Sequence, residues 1–382
     1  MLCRIVSEFV SEPSAYNFFA QNLNELLDFY QKYYCAAVRP RKFCVAVSGG
    51  SDSMALLFLL YNWAQKNEVE VFCVTIDHQL REESLAEAMF VRAFCESKHI
   101  KHEILIWNSE NDKINHGKLE NSAREARYQL ILEFCARESI GIVLTGHTWN
   151  DQLETFAIRK SRGSSGIGLA GISRIRSLTN DVKLLRPLLY FTRDYLKNFL
   201  CSKGIIWKND PMNDDERFQR VLWRKKIASY DIERTSELSK EIMLLGKTRH
   251  DVETKAVACL RAFCEFSQRG SAIQLRQFLA EEKAVQMEIL RRIIWNVGEK
   301  KYAPSLNTEL LSQILDGKIN TLGKCLLKVG KEEIFVFLEN RNSGKILPYR
   351  LQSHRMGRGN DGGSSSEGVV FVNNMNLFDI FQ

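Results

Sequence analysis

The chain has 382 residues, of which 45% are hydrophobic, ten cysteines and a formal net charge of +7. That length suggests two or three domains at roughly 150 residues each. No apolar run reaches the roughly 18 to 20 residues that cross a bilayer, and the N-terminus has no charged region leading into an apolar core and cleavage site, so a soluble, cytoplasmic protein is expected. The cysteines make no C-x-x-C pair and no Cys/His cluster at metal spacing, and read as reduced core residues. The positive charge supports a polyanionic partner only weakly.

In chain order, residues 14–34 read as an amphipathic helix and Phe43-Cys44-Val45-Ala46-Val47 as a buried strand. Ser48-Gly49-Gly50-Ser51-Asp52-Ser53 follows, opening directly into the helical run Met54-Ala55-Leu56-Leu57. Two glycines let the backbone turn tightly without a Cβ clash. The first helical amides and three serine hydroxyls then face whatever fills the turn, which suits an anion. The segment lacks the lysine and the length of a Walker A loop, so transfer of a terminal phosphoryl group is disfavoured.

Residues 69–76 form a second strand, 84–98 a helix, 102–107 a strand, 119–137 a helix and 140–145 a fourth strand. This alternation predicts a doubly wound, mostly parallel sheet covered on both faces, with ligands gathering at the carboxyl ends of the strands. The candidate functional residues fall at those ends. Asp77 closes the second strand in Ile76-Asp77-His78-Gln79-Leu80-Arg81, where it could accept from a nucleotide, reach Mg²⁺ through water, or cap a turn. Arg124 and Arg127 are three apart in Asn121-Ser122-Ala123-Arg124-Glu125-Ala126-Arg127-Tyr128 and so share a helix face. Thr145-Gly146-His147-Thr148-Trp149-Asn150-Asp151-Gln152-Leu153-Glu154-Thr155 ends the fourth strand. Asp151 and Glu154, three apart at a helix start, can jointly hold an ammonium group, and His147 could orient a phosphate or accept a proton.

Residues 161–171 are glycine-rich and polar and should be a loop, able to close over a nucleotide or a base. Arg186-Pro187-Leu188-Leu189 and Trp207-Lys208-Asn209-Asp210-Pro211-Met212-Asn213 follow. Arg217, Arg220 and Arg224 then lie on a helix as a basic stripe suited to RNA phosphates, or with one arginine turned to the site. Beyond a boundary at 215–235 the pattern becomes helical, over 236–262 and 281–295, and ends in a hairpin at 321–337. Residues 357–368 read as a disordered Gly/Ser linker. The readings divide the chain into an N-terminal helical extension (1–40), a catalytic α/β domain (41–225), a helical and hairpin region (226–345) and a partly disordered tail (346–382).

The serine-glycine loop resembles the SGGxDS loop of the ATP pyrophosphatases, which split ATP between its α and β phosphates. The later elements resemble, in order, the (V/I)DHxLR, ARxxRY, GHHxxDQxET, RGSxxxGLxGM, RPLL and (W/E)xxDPxN elements of the tRNA(Ile)-lysidine synthetases. Thr148 and Asn150 depart from that pattern, standing where a second histidine and an acid are common. The resemblance covers about residues 42–340, and 226–345 is similar to the small α+β domain that such proteins append for tRNA. It implies an ATP- and Mg²⁺-dependent ligase in which the C2 oxygen of the wobble cytidine (position 34) of a CAU-anticodon tRNA(Ile) attacks the α-phosphorus, after which L-lysine displaces AMP.

On that resemblance, Ser48, Gly49, Gly50, Ser51, Asp52, Ser53 and Asp77 bind the nucleotide, with Asp52 also orienting Mg²⁺. Asp52, Arg124 and His147 are the catalytic candidates. Asp151, Glu154, Arg220 and Arg224 hold substrates, and a homodimer is compatible with the sequence. The rival readings are a tRNA 2-thiocytidine sulfurtransferase, which would want paired cysteines, an ammonia-using amidoligase, and a non-catalytic RNA-binding relative.

Overall fold

The computed structural model describes residues 12–33, 39–79, 83–107, 119–179, 181–209, 219–267, 270–298 and 304–339. They form two compact units, the first running to Asp251 and the second starting at Val252. The division falls inside a long helix, α8 in chain order (Ile232–Phe263), beyond the 215–235 region where the sequence changes character. Its early turns still bury Ile242 among residues of the first unit. The tail 346–382, with its Gly/Ser stretch, lies outside the described residues. None of the described helices is long and apolar enough to cross a membrane.

The first unit alternates as its sequence predicts, with bounds shifted by one or two residues: α1 (Glu12–Tyr33), β1 (Lys42–Ala46), α2 (Ser51–Asn67), β2 (Glu70–Asp77), α3 (Glu83–Ser97), β3 (Lys101–Ile106), α4 (Leu119–Glu138), β4 (Ile142–Thr145) and α5 (Trp149–Ser161). Beyond α5 come β5 (Ile175–Ser177), β6 (Lys183–Leu185), α6 (Arg193–Ser202) and α7 (Gln219–Ala228). The sheet has six strands in the order β3-β2-β1-β4-β6-β5. All its pairings are parallel except β5 with β6. Strands β5 and β6 are not evident in the sequence, because segments of three residues carry no periodicity to read; helix α6, ten residues long behind the cap Thr192, carries such a signal and escaped the sequence reading.

Both faces of the sheet are covered, which is why its strands are continuously apolar. Phe43 and Val45 of β1 face a core that holds Leu56, Leu57 and Leu60 of α2 and Phe19, Leu23 and Leu27 of α1. Cys44, between them, joins Ile131, Phe134 and Cys135 of α4 on the opposite face, as the two-residue period of a strand requires. Among the described cysteines, Cys44, Cys73, Cys95, Cys135, Cys259 and Cys325 are buried free thiols.

Strand order fixes where a ligand can lie. From β1 the chain winds outward through β2 to β3, then returns to the other side of β1 as β4. The carboxyl ends of β1 and β4 therefore flank the switch point, where helices diverge to opposite faces and leave a crevice. The residues after β1 are the serine-glycine loop, and those after β4 are Gly146, His147 and Thr148.

The second unit holds the end of α8, then β7 (Cys264–Ser267), β8 (Gly270–Gln274), α9 (Leu275–Leu279), α10 (Lys283–Val297), α11 (Thr308–Leu315), β9 (Thr321–Leu322), β10 (Cys325–Val329) and β11 (Glu333–Leu338). Its sheet is antiparallel in the order β7-β8-β11-β10-β9. The expected closing hairpin, β10 with β11, is thus extended by a second hairpin at 264–274. That one escaped the sequence reading because β7 and β8 together hold a single β-branched apolar residue, Ile273.

Two partly buried histidines, His102 and His78, make the first unit sensitive to acid. His102 on β3 hydrogen-bonds Thr75 Oγ1 on β2 through Nε2 at 2.9 Å, and burial, with Arg92 nearby, lowers its pKa from 6.5 to about 4. Between those values the unfolded chain takes up a proton that the folded chain refuses, so stability falls as pH drops through that window. The urea midpoint should therefore decline from about pH 6.5 to about pH 4, and His102→Gln should flatten the decline. A midpoint independent of pH, or a His102→Gln profile parallel to the parent's, would contradict this account.

Candidate active site

The loop after β1 is braced from inside and from behind. Gly49 has φ +86°, a conformation that favours glycine, and its carbonyl accepts the Lys208 amide at 2.9 Å. The Trp207-Lys208 segment thus holds the loop, while Asp210 to Asn213 lie outside the described residues. Ser53 Oγ donates to the Gly50 carbonyl at 2.9 Å and accepts the Ser48 amide at 3.2 Å. Ser53 therefore shapes the turn, and Gly50 caps α2. The first amides of α2 are left directed at the crevice, as at any helix start.

The end of β4 runs against this turn. A Cβ on Gly146 would lie 2.9 Å from the Asp52 carbonyl oxygen and 3.1 Å from the Ser53 nitrogen, so only glycine permits the approach. Thr148 then caps α5, and its backbone amide and hydroxyl both donate to Asp151 Oδ2, at 2.8 and 3.0 Å. Asn150 Oδ1 accepts the Arg193 amide at 2.8 Å, tying the start of α6 to the start of α5. The two departures from the family pattern are therefore structural: Thr148 is a helix cap and Asn150 a helix-to-helix tie.

Asp52, Asp151 and Glu154 converge on one guanidinium. Arg193 Nε donates to Asp52 Oδ2 at 2.9 Å, while its terminal nitrogens lie 3.5 Å from Asp151 Oδ1 and 3.8 Å from Glu154 Oε1. Glu154, with 2% of its side chain exposed, also accepts from Arg224 Nε at 2.8 Å. Its second oxygen, Oε2, is buried with no hydrogen-bond partner among the described residues. Burial pushes the Asp52 pKa up, against the pull of Arg193 and the Ser51 hydroxyl. Burial also works to raise Asp151, but His147, Arg193, the Thr148 amide and Arg220 outweigh it and hold that carboxylate below its ordinary value.

The remaining sequence candidates take the following positions. His147 Nδ1 is 2.9 Å from Thr145 Oγ1. Asp77 Oδ1 accepts the Gln79 amide at 2.9 Å and the Ser84 hydroxyl, so this oxygen does cap the turn after β2. Arg127 reaches His78 Nε2 at 3.2 Å. Burial, then Arg127, lowers the His78 pKa to about 4, keeping the imidazole neutral. Arg124 lies on α4 with its side chain outside the described residues, as does Arg217 altogether.

Of the two places the sequence leaves open for Arg217, Arg220 and Arg224, Arg224 takes the second, since its guanidinium turns in to satisfy Glu154. The segment 161–171 is not a free loop. It contains a short 3-10 turn, Gly166–Leu169, and Arg159 and Arg249 both donate to the Gly171 carbonyl, at 2.8 and 3.0 Å. Gln152 completes the clamp by pairing with the Ile172 amide and carbonyl.

Sequence reasoning missed Arg193 altogether. Its signal was faint: an arginine directly after the cap Thr192, at a helix start that disfavours positive charge. Such a placement needs compensation from nearby carboxylates, and here it has three.

The chain is similar to known proteins. The model of the PP-loop domain family matches residues 18–230, more than half of the chain. A tRNA(Ile)-lysidine synthase of Ruegeria pomeroyi is 32% identical over 299 residues, covering 76% of this chain and 70% of that protein.

The chain belongs to the tRNA(Ile)-lysidine synthase family.

A second family member, from Rickettsia bellii, is 28% identical over 314 residues, covering 80% of this chain and 71% of its own. Among solved structures, the U34-tRNA thiolase NcsA from Methanococcus maripaludis with its 4Fe-4S cluster is 14% identical with a TM-score of 0.46, covering 60% of this chain and 80% of that one. So distant a likeness says nothing of chemistry. Asp52, His147, Asp151, Glu154, Arg193 and Arg224 all fall within the PP-loop match and within the first unit.

Gly146→Ala tests whether the approach of β4 to the loop matters. The added methyl meets backbone on both sides, and a displacement of a few tenths of an ångström at a reacting centre should lower pyrophosphate release on the order of tenfold to a hundredfold. Full activity in that variant would show that the loop tolerates displacement.

Proposed function

We propose that the site ligates L-lysine to C2 of the wobble cytidine of a CAU-anticodon tRNA(Ile), with ATP converted to AMP and pyrophosphate. The observation that carries the lysine half of this reading is the buried, unpartnered Glu154 Oε2 beside Asp151, one helix start away from the phosphate turn. A buried carboxylate oxygen without a donor is costly, and a site that leaves one waiting suits a ligand that brings N–H groups. The ammonium of lysine does so.

In the first step the amides of Gly49 to Ser53 at the start of α2 hold the β and γ phosphates, leaving the α-phosphorus open to the cytidine oxygen. Asp52 is the residue that fits Mg²⁺. No group of three or more His, Cys, Asp or Glu side chains gathers around it among the described residues, but this ion is commonly held by one carboxylate with phosphate oxygens and water. Bound there, it would neutralise charge on the departing diphosphate. Asp77 keeps one carboxylate oxygen for the nucleotide, and Arg124 is assigned to phosphate.

In the second step Asp151 and Glu154 seat the ammonium away from water, and His147, in its neutral form, accepts the proton that frees the amine. The amine attacks C2, the bond from C2 to the adenylated oxygen breaks, and AMP leaves with that oxygen. Arg220 and Arg224 hold the acid pair in place, Arg224 by its bond to Glu154. The product reads AUA instead of AUG.

Asp52→Ala should abolish pyrophosphate release from ATP and unmodified tRNA while leaving tRNA affinity nearly unchanged. Equal loss of both would contradict the role given to Asp52. Glu154→Ala should let adenylated tRNA accumulate and raise the lysine concentration needed for half-saturation by about tenfold or more, the cost of one lost charge-assisted bond. Unaltered lysine saturation would remove the acid pair from the mechanism.

A further inference from the structure

Arg193 touches both halves of the site with one side chain. Nε is bonded to Asp52, on the nucleotide side, and its two terminal nitrogens face Asp151 and Glu154, on the lysine side. These contacts differ in quality. The bond to Asp52, at 2.9 Å, has normal length, whereas 3.5 and 3.8 Å are too long for good hydrogen bonds. The backbone is fixed, because the Arg193 amide is held by Asn150 Oδ1 and the Phe191 carbonyl accepts the Trp149 amide. The side chain is thus a movable cation on a fixed hinge, resting where an ammonium would have to enter.

We infer that Arg193 is a positioning residue that couples nucleotide binding to lysine binding: it occupies the acid pair in the empty enzyme and is drawn to the phosphates when ATP binds. The inference rests on the lysine seat proposed above. Its physical basis is charge competition. A guanidinium pairs more strongly with phosphate than with carboxylates it reaches only loosely. Once it leaves, its share of the field that repels a second cation from Asp151 and Glu154 is removed, while Arg224 stays bonded to Glu154 Oε1 and leaves Oε2 for the ligand. By linkage, nucleotide then tightens lysine binding and lysine tightens nucleotide binding by the same factor.

The test is the dissociation constant of lysine for the full chain, measured calorimetrically with and without α,β-methylene ATP and Mg²⁺, in the parent, Arg193→Gln and Arg193→Lys. The parent should bind lysine about tenfold tighter with the nucleotide, within the usual range for coupled sites. In Arg193→Gln the factor should fall to about one, because lysine affinity without nucleotide rises. Arg193→Lys, whose single ammonium cannot face both sides, should lose most of the coupling and covers the case in which the glutamine variant does not fold. No coupling in the parent, or equal coupling in parent and variants, overturns the inference and leaves the seat standing. Lysine binding that survives Glu154→Gln in both nucleotide states removes the seat itself, and the inference with it.

Discussion

The end of β4 passes so close to the first turn of α2 that only a glycine fits between them, and the rest of the site follows from that approach. Gly146 against Asp52 and Ser53 brings two separate strand ends into one crevice. The turn after β1 supplies amides and a carboxylate, and the segment after β4 supplies a histidine and two acids. Strand order explains why they meet, since β1 and β4 are neighbours on either side of the switch point although nearly a hundred residues apart.

The approach concentrates charge where water is scarce. Asp52, Asp151 and Glu154 are all largely buried, and Arg193 and Arg224 compensate them. A buried ion network of this kind is weak support for stability, because desolvation offsets most of the attraction. On the function proposed above, the network is a site whose charges are held ready to be exchanged for those of ligands. Its incompleteness supports that view: one oxygen of Glu154 has no partner, and two contacts of Arg193 are long. Several residues framing the site are, by contrast, paired. Thr148 caps α5, Asn150 ties α5 to α6, Lys208 holds the back of the loop, and Arg159, Arg249 and Gln152 clamp the glycine-rich segment.

The parts of this arrangement that obey local rules were legible in the sequence. A strand, two glycines, serines and a helix make a phosphate turn wherever they occur, and Asp151 and Glu154 share a face because helical spacing requires it. What escaped depends on tertiary contact. Which arginine of α7 turns to the site is open until Glu154 is seen beneath Arg224, and Arg193 stands about forty residues from Asp151 and Glu154 and 141 from Asp52. Asp77 is a mixed case, since its turn-capping role is local and was foreseen as the alternative to nucleotide binding. Strands β5 to β8 were missed for a different reason: three to five residues with little β-branched content give no period to detect.

The central claim is that the phosphate turn directs a nucleobase oxygen onto the α-phosphorus. It is tested most directly by tracing that oxygen. With tRNA(Ile) carrying oxygen-18 at C2 of the wobble cytidine, turnover with ATP and lysine should yield AMP heavier by one label, since AMP leaves with the oxygen that attacked. Unlabelled AMP, or release of ADP, would contradict the account.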